Sequence, residues 1–452
     1  MDDRRVWGGA SFAAVLIALV IVLPTRAQLS GPDAFADTLR RSLATDLLTH
    51  WYPRAVDSVH GGYLSDFAHD WTPSGPQDKF IVTQARHVWT TARLHDAQPR
   101  SDSLYRRAAR HGVTFLRNEM WDETHGGFHS LVSRTGAVQS GDGPYTATKT
   151  AYGQAFAIYG LAEYAAATGD AEVLRFAQRA FRWLDDNAHD DDNGGYFRHL
   201  RPAGSPYRTG YNAQTPPKNQ NSTIHLLEAF TRLYQVAPDT PGLRDRLAEL
   251  LVLTRDTMTT DRGTLRLFFE RDWSPISYRD SSEAVREAHY DLDHVSFGHD
   301  VETAFLMLEA AEALGRPPAR TLTVGTRMVN HALRHGWDRT NGGLYDGGFV
   351  VAPDSIRIVR RTKAWWAQAE ALHTFVLMAQ RRPDAALDYG AKARATWRYI
   401  DRFLIDPDHG GWYRSGLDTA PEARTAPKGS IWKGTYHTAR AFLRTSALLE
   451  TR

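Results

Sequence analysis

The sequence predicts an all-α fold, an (α/α)6 barrel with short β-hairpin turns, and three observations point there. A Gly-Gly turn recurs along the chain as His60-Gly61-Gly62-Tyr63, His125-Gly126-Gly127-Phe128, Asn193-Gly194-Gly195-Tyr196, Asn341-Gly342-Gly343-Leu344 and His409-Gly410-Gly411-Trp412. A degenerate copy, Asp261-Arg262-Gly263-Thr264, falls near the middle of the one double-length gap, which makes six units of roughly 65 to 80 residues. An amphipathic helical pattern precedes each turn and a much less polar one follows it, so each unit supplies one outer and one inner helix. An open solenoid of helical hairpins would alternate in the same way. Six units, with no polar capping unit and a last helix as apolar as the inner ones, favour closure into two concentric rings.

Taken in order, residues 1–27 read as a secretory signal peptide: Arg4 and Arg5, an apolar run from Ala10 to Leu23, then Pro24-Thr25-Arg26-Ala27 with cleavage expected after Ala27. The apolar run is shorter than the roughly 20 residues of a membrane span, although an uncleaved anchor is the alternative. The expected protein is exported, periplasmic or secreted, with no membrane association after cleavage. Residues 28–452 then form one barrel domain, with Gln28 to Pro32 a short lead-in. Outer helices are expected over Leu104 to Met120, Val173 to Asp185, Leu243 to Met258, Leu322 to Leu333 and Leu387 to Phe403. Inner helices are expected over Tyr152 to Ala166, Ser222 to Tyr234, Val301 to Leu314, Trp365 to Met378 and Tyr436 to Leu449. The polar stretch Ser274 to His294 reads as an inserted loop, and strands should be short and confined to the Gly-Gly turns.

Composition narrows the function. The 54 basic and 52 acidic residues are spread along the chain for a formal charge of +2, without the basic stripe that nucleic-acid binding needs. With no cysteine, disulfides, a thiol nucleophile and thiolate metal ligands are all excluded. The 13 tryptophans suit both core packing and stacking on sugar rings. Oligomeric state is left as monomer or homodimer.

Counting about 25 residues forward from each turn reaches the start of each inner helix, and the residues found there carry chemistry: Arg86, Tyr152, Asn221 with His225, His299, Trp366 and His437. Equivalent positions in a closed sixfold array point at one rim, so residues far apart in sequence meet in one pocket. Glu302 lies one helical turn after His299 in Phe297-Gly298-His299-Asp300-Val301-Glu302, where a carboxylate can fix an imidazole tautomer. Trp432 precedes His437 in a glycine-containing loop that enters a helix. Plainer readings remain beside these: His225 as a satisfied core histidine, Arg86 as a solvated charge, and at least one of Trp365 and Trp366 as core.

A metal site fits poorly. His289, His294 and His299 are spaced by five, off one helical face, and no His-Glu-x-x-His pair occurs. Asp190-Asp191-Asp192-Asn193-Gly194 resembles a calcium loop but has Arg201 where the twelfth-position acid belongs, so it reads as a turn.

The blocks Gln84 to Trp89, Asn221 to Glu228, Gly298 to Glu302, Lys363 to Glu370 and Trp432 to Arg440 resemble, in order, the signature blocks of the N-acylglucosamine 2-epimerase superfamily, most of all its cellobiose 2-epimerase branch. The resemblance covers the chain after the signal segment. It implies inversion at C2 of a reducing-end aldose without a cofactor, with a small-molecule carbohydrate as substrate. It also implies that His437 is the base for the glucose-configured sugar and His299 the base for the mannose-configured one, through a cis-enediolate. By the same resemblance Arg86, Asn221, His225, Glu302, Trp366 and Trp432 bind the sugar or support ring opening. The chemistry agrees, since a proton taken from one face of C2 and returned to the other needs two bases that titrate near neutrality. Phe305 departs from the branch, which places a tryptophan there, and directs attention to that position for the choice of sugar. Aldose–ketose isomerisation shares the enediolate. A glycosidase on this barrel would need two opposed carboxylates, and a non-catalytic binder would not need two histidines.

Overall fold

Alternating helices bury their faces against each other in two concentric rings in the computed structural model, which describes residues 31–97, 102–212, 214–352 and 354–451. The outer ring is α1 (Pro32–Ser42), α3 (Asp102–Phe115), α5 (Ala171–Ala188), α7 (Leu243–Val252), α9 (Ala319–His335) and α11 (Tyr389–Tyr399). The inner ring is α2 (Ile81–Ala97), α4 (Ala151–Thr168), α6 (Gln220–Val236), α8 (Phe297–Ala313), α10 (Trp365–Arg381) and α12 (Tyr436–Glu450). An outer helix such as α5 buries one stripe, Val173, Phe176, Ala177, Ala180, Phe181 and Leu184, at helical spacing. Each large apolar side chain so buried contributes about 1.5–3 kcal/mol. Its inner partner α4 buries every residue from Ala151 to Ala165 except Tyr152, which faces the barrel mouth. The uncleaved-anchor question and the signal peptide, residues 1–27, lie outside the described residues. Among the described residues no helix is long and apolar enough to cross a membrane.

The ring is closed, not a solenoid. Thr435, at the entry to α12, donates to the Thr90 hydroxyl on α2 at 3.1 Å, and Tyr436 packs edge-on against Trp89 at 5.2 Å. The last Gly-Gly turn is tied to the first unit as well, with Gly411 N bonded to Asp46 O and the Trp71 indole N–H to His409 O at 2.9 Å.

Each of the five Gly-Gly turns is locked by a buried lysine. Lys79, Lys149, Lys218, Lys363 and Lys428 reach Asp57, Asp122, Asp190, Asp338 and Asp406 at 3.1, 2.7, 2.9, 2.7 and 2.5 Å. The degenerate turn has Thr260 in the aspartate's place and Val295 in the lysine's. Both glycines of a turn adopt left-handed backbone; Gly127 at φ 73° also lies so close to Trp183 that a Cβ would sit 2.4 Å from its ring. Burial opposes ionisation of Asp122, but its bonds to Lys149 and the His125 backbone N–H outweigh that and hold the carboxyl below its usual range. The stability this confers is present above the ordinary carboxyl value and is lost as pH falls toward the folded one. Lys149→Met strands that carboxylate and should destabilise the protein by about 3–5 kcal/mol in chemical denaturation; a loss under about 1 kcal/mol would contradict the lock.

Three expectations need revision. Strands are not confined to two-residue ladders beside the turns, because Gly347–Ala352 and Ser355–Arg360 form a longer antiparallel hairpin that joins Val295–Ser296 in a three-stranded sheet. Alternation of Ile356 and Ile358 with exposed Ser355 and Arg357 explains it. The insertion from Ser274 to His294 contains a short helix, Glu283–Ala288, with no buried residue. The long outer patterns also do not stay α-helical: Leu116–Met120, Leu253–Met258 and Ile400–Leu404 are π turns that carry Met120, Met258 and Leu404 into the core.

Candidate active site

Inner-helix residues form layers down the barrel axis, starting at the mouth made by the helix N-termini. The uppermost layer holds Tyr152, Asn221, His299, Trp366 and His437; Arg86, His225, Glu302, Glu370 and Arg440 lie beneath it; Trp89, Tyr159, Glu228, Phe305 and His373 come next. All six units feed the site as expected, five through the uppermost layer and the sixth through Arg86 in the layer beneath.

His437 donates from Nδ1 to Glu370 Oε1 at 2.6 Å, which leaves Nε2 as the basic atom. Burial drives its imidazole well below the ordinary value, aided by Arg86 and opposed by Glu302, whose carboxylate is 4.0 Å away. His299 is partly buried, and desolvation pushes it down to about 4 against the pull of Glu302. Its Nδ1 lies 2.7 Å from Ser296 Oγ. The Trp366 ring neighbours both imidazoles, with centroids 4.7 Å from His299 and 5.8 Å from His437. Gly298 makes room for it, since a Cβ there would meet Trp366 at 2.7 Å. Two neutral imidazoles therefore adjoin one aromatic face.

On the opposite side of the mouth Arg86 donates to the Tyr152 hydroxyl at 3.0 Å and lies over the Phe156 ring. Asn221 also meets that hydroxyl. His225 is held by Glu228 at 2.9 Å and packs against Phe156 at 4.7 Å. Arg86 Nε is buried and has no hydrogen-bond partner among the described residues.

Beneath the mouth, fully buried Arg440 donates to Glu302 at 2.5 Å, to Glu370 at 2.6 Å and to Glu228. Tyr436 adds a 2.6 Å bond to Glu228. Glu302, Glu370 and His437 offer ligand atoms within 4.8 Å of one another, the spacing a cation could use. Arg440 already supplies the positive charge those carboxylates need. At the far end of the barrel a cavity of about 460 Å³ is lined by Arg93, Glu163, Arg232, Glu309 and Arg444. Its charges pair with each other, as in Arg232–Glu163 at 2.7 Å, and it holds neither His299 nor His437.

The profile of the N-acylglucosamine 2-epimerase family matches residues 62–441. The chain belongs to that family. Among its relatives is the cellobiose 2-epimerase of Bacteroides fragilis, 26% identical over 407 residues that cover 89% of this chain and 96% of the relative. The D-mannose isomerase of Thermobifida fusca is 24% identical over 374 residues, 80% of this chain and 84% of the relative. The solved cellobiose 2-epimerase of Spirochaeta thermophila superposes with a TM-score of 0.76 at 27% identity, covering 92% of this chain and 98% of that one.

Of the residues singled out in the sequence, His299, His437, Tyr152, Asn221 and Trp366 line the mouth, Arg86, His225 and Glu302 lie in the layer beneath it, and Trp365 is the core member of its pair. Trp432 stands apart on the rim, 36% exposed, in an aromatic wall with Phe80 at 4.8 Å and Tyr145 at 5.6 Å. Glu302 does not bond His299; it accepts from Arg440, and the His299 Nδ1 faces Ser296 Oγ instead. Phe305 is likewise not a sugar-stacking position. One turn further down than Glu302, it is completely buried, edge-on to His373 at 4.9 Å and under the Arg440 guanidinium at 5.2 Å. Arg440 and Ser296 escaped sequence reasoning, although Arg440 follows His437 by the same three residues that separate Glu302 from His299.

Proposed function

We propose that this protein is a carbohydrate 2-epimerase that interconverts glucose- and mannose-configured reducing ends of a cellobiose- or mannobiose-like sugar. The observation that carries the reading is the pair of imidazoles, buried His437 and partly buried His299, that both adjoin the Trp366 ring. With Nδ1–H donating to Glu370, His437 Nε2 takes the C2 proton of the open-chain glucose-configured sugar. The C2 electron pair forms the C1=C2 bond and charge moves to the aldehyde oxygen, giving a cis-enediolate. Arg86, Tyr152 and Asn221 are the donors available to that oxygen. His299, neutral in the empty site, takes a proton from solvent once the enediolate carries its negative charge and returns that proton to C2 on the other face, while the proton taken by His437 is lost to solvent. Trp366 and Trp432 stack on the sugar rings. Residues 1–27 direct export and are removed.

A second reading, aldose–ketose isomerisation, is favoured by the likeness to the Thermobifida fusca D-mannose isomerase. It returns the proton to C1 instead, with the O2 hydroxyl proton moving to O1 so that C2 becomes the carbonyl. Incubation with cellobiose, mannobiose, mannose and N-acetylglucosamine followed by chromatography of products separates the two: a C2 epimer supports the proposal, a ketose supports the second reading, and bond cleavage contradicts both.

Because burial depresses both imidazoles, the base stays neutral below the ordinary value of 6.5 and is lost only as pH falls through its own lowered one. The acid limb of kcat/KM is expected well below pH 6. A limb at 6.5 or above would contradict depressed bases.

A further inference from the structure

The residue before each inner helix is an N-cap, and in this repeat two of them cap as expected. Thr150 Oγ1 accepts from Gly153 N at 3.1 Å and Asn219 Oδ1 accepts from Ser222 N at 3.2 Å, each bonding the third residue of its helix. Ser296 holds the same place before α8, and its helix has no side-chain cap bond. Serine is among the best capping residues, so this is a helix start left uncapped. The Ser296 hydroxyl instead lies 2.7 Å from Nδ1 of His299, the third residue of that helix. The side chain has exchanged the backbone N–H for the imidazole of the same residue. His437 differs, since its Nδ1 faces the Glu370 carboxylate.

We infer that Ser296 is a positioning residue for His299, fixing its Nδ1–H tautomer through a neutral acceptor so that the two histidines act as unequal partners. This rests on the epimerase reading above. A base whose Nε2 must meet C2 carries its proton on Nδ1 in both protonation states, and Ser296 Oγ accepts from that proton in each. A carboxylate partner stabilises an imidazolium, whereas a hydroxyl fixes orientation without adding charge. His437 is therefore the better proton acceptor, and protonated His299 the better proton donor. Overall equilibrium fixes the ratio of kcat/KM in the two directions, so the asymmetry shows in how long the enediolate waits for its proton.

The test is epimerisation of cellobiose in deuterated water by wild type and Ser296→Ala, following epimer formation and deuterium at C2 of recovered cellobiose. The expected result is a kcat lowered by roughly tenfold to a hundredfold with KM within about twofold. Deuterium in recovered substrate per epimer formed should rise, because His437 still takes and exchanges the proton while delivery by His299 slows. Ser296→Thr, which keeps the hydroxyl, should restore kcat to within about threefold. As the control for a lost cap, Thr150→Ala should lower the melting temperature and leave the deuterium ratio unchanged. Unchanged kcat in Ser296→Ala, or a fall matched by lost stability with no rise in the ratio, would overturn the role of Ser296 alone. Wild type that neither exchanges nor epimerises any of the four sugars would overturn the epimerase reading and this inference with it.

Discussion

His437→Asn and His299→Asn should each lower epimerisation by at least about a thousandfold while leaving the melting temperature within a few degrees of wild type. Asparagine retains a hydrogen-bonding group of similar size but cannot take a proton near neutrality. For His437 the substitution keeps a donor toward Glu370, so the buried carboxylate remains partnered and the fold has little to lose. Loss of activity with intact folding is what separates a base from a packing residue. If both single variants kept more than about a tenth of wild-type kcat, the two-histidine chemistry would be wrong. Steady-state rates by chromatography, beside thermal denaturation, read both quantities.

Arg440→Met is the second large effect, and it should fall on stability as well as activity. One buried guanidinium holds Glu228, Glu302 and Glu370 together. Removing it leaves three carboxylates in the barrel interior without their cation, and breaking such a set by deleting one partner costs about 3–5 kcal/mol. The activity loss follows because Glu370 positions His437 and Glu228 positions His225; roughly a hundredfold fall in kcat is expected from disordering those contacts. Arg440→Lys should rescue little, since an ammonium is a single point of charge that cannot reach all three acids as the forked guanidinium does. Chemical denaturation of both variants decides it. A lysine variant as stable and as active as wild type would show that charge alone, not the fork, is required.

Much of the barrel was legible because the repeat is a physical requirement. Two left-handed glycines per turn, an apolar inner helix and an amphipathic outer one leave marks at fixed spacing, and the degenerate turn at Gly263 could be placed by the gap around it. The hairpin Gly347–Ala352 and Ser355–Arg360 was not legible, since it breaks the repeat and its alternation is short and edged with polar residues. At the site, which helix start carries which residue could be read from the constant offset after each turn. What that offset does not give is how far down the barrel a side chain lies. Phe305 and Glu302 belong to successive layers, so one packs under Arg440 and the other bonds it, although both are on the same helical stripe. Hydrogen-bond partnerships between units are equally hidden. Nothing local marks Glu370 as the partner of His437, or Ser296 as a cap that serves an imidazole.

Two bases serving two faces of one carbon are tested directly by single-histidine variants in deuterated water. His299→Asn should still exchange the C2 hydrogen of cellobiose with solvent, through His437, without forming epimer. His437→Asn should exchange C2 of the mannose-configured epimer and leave cellobiose untouched. Exchange of both sugars by either variant, or of neither sugar by both, would contradict the division of labour between His299 and His437.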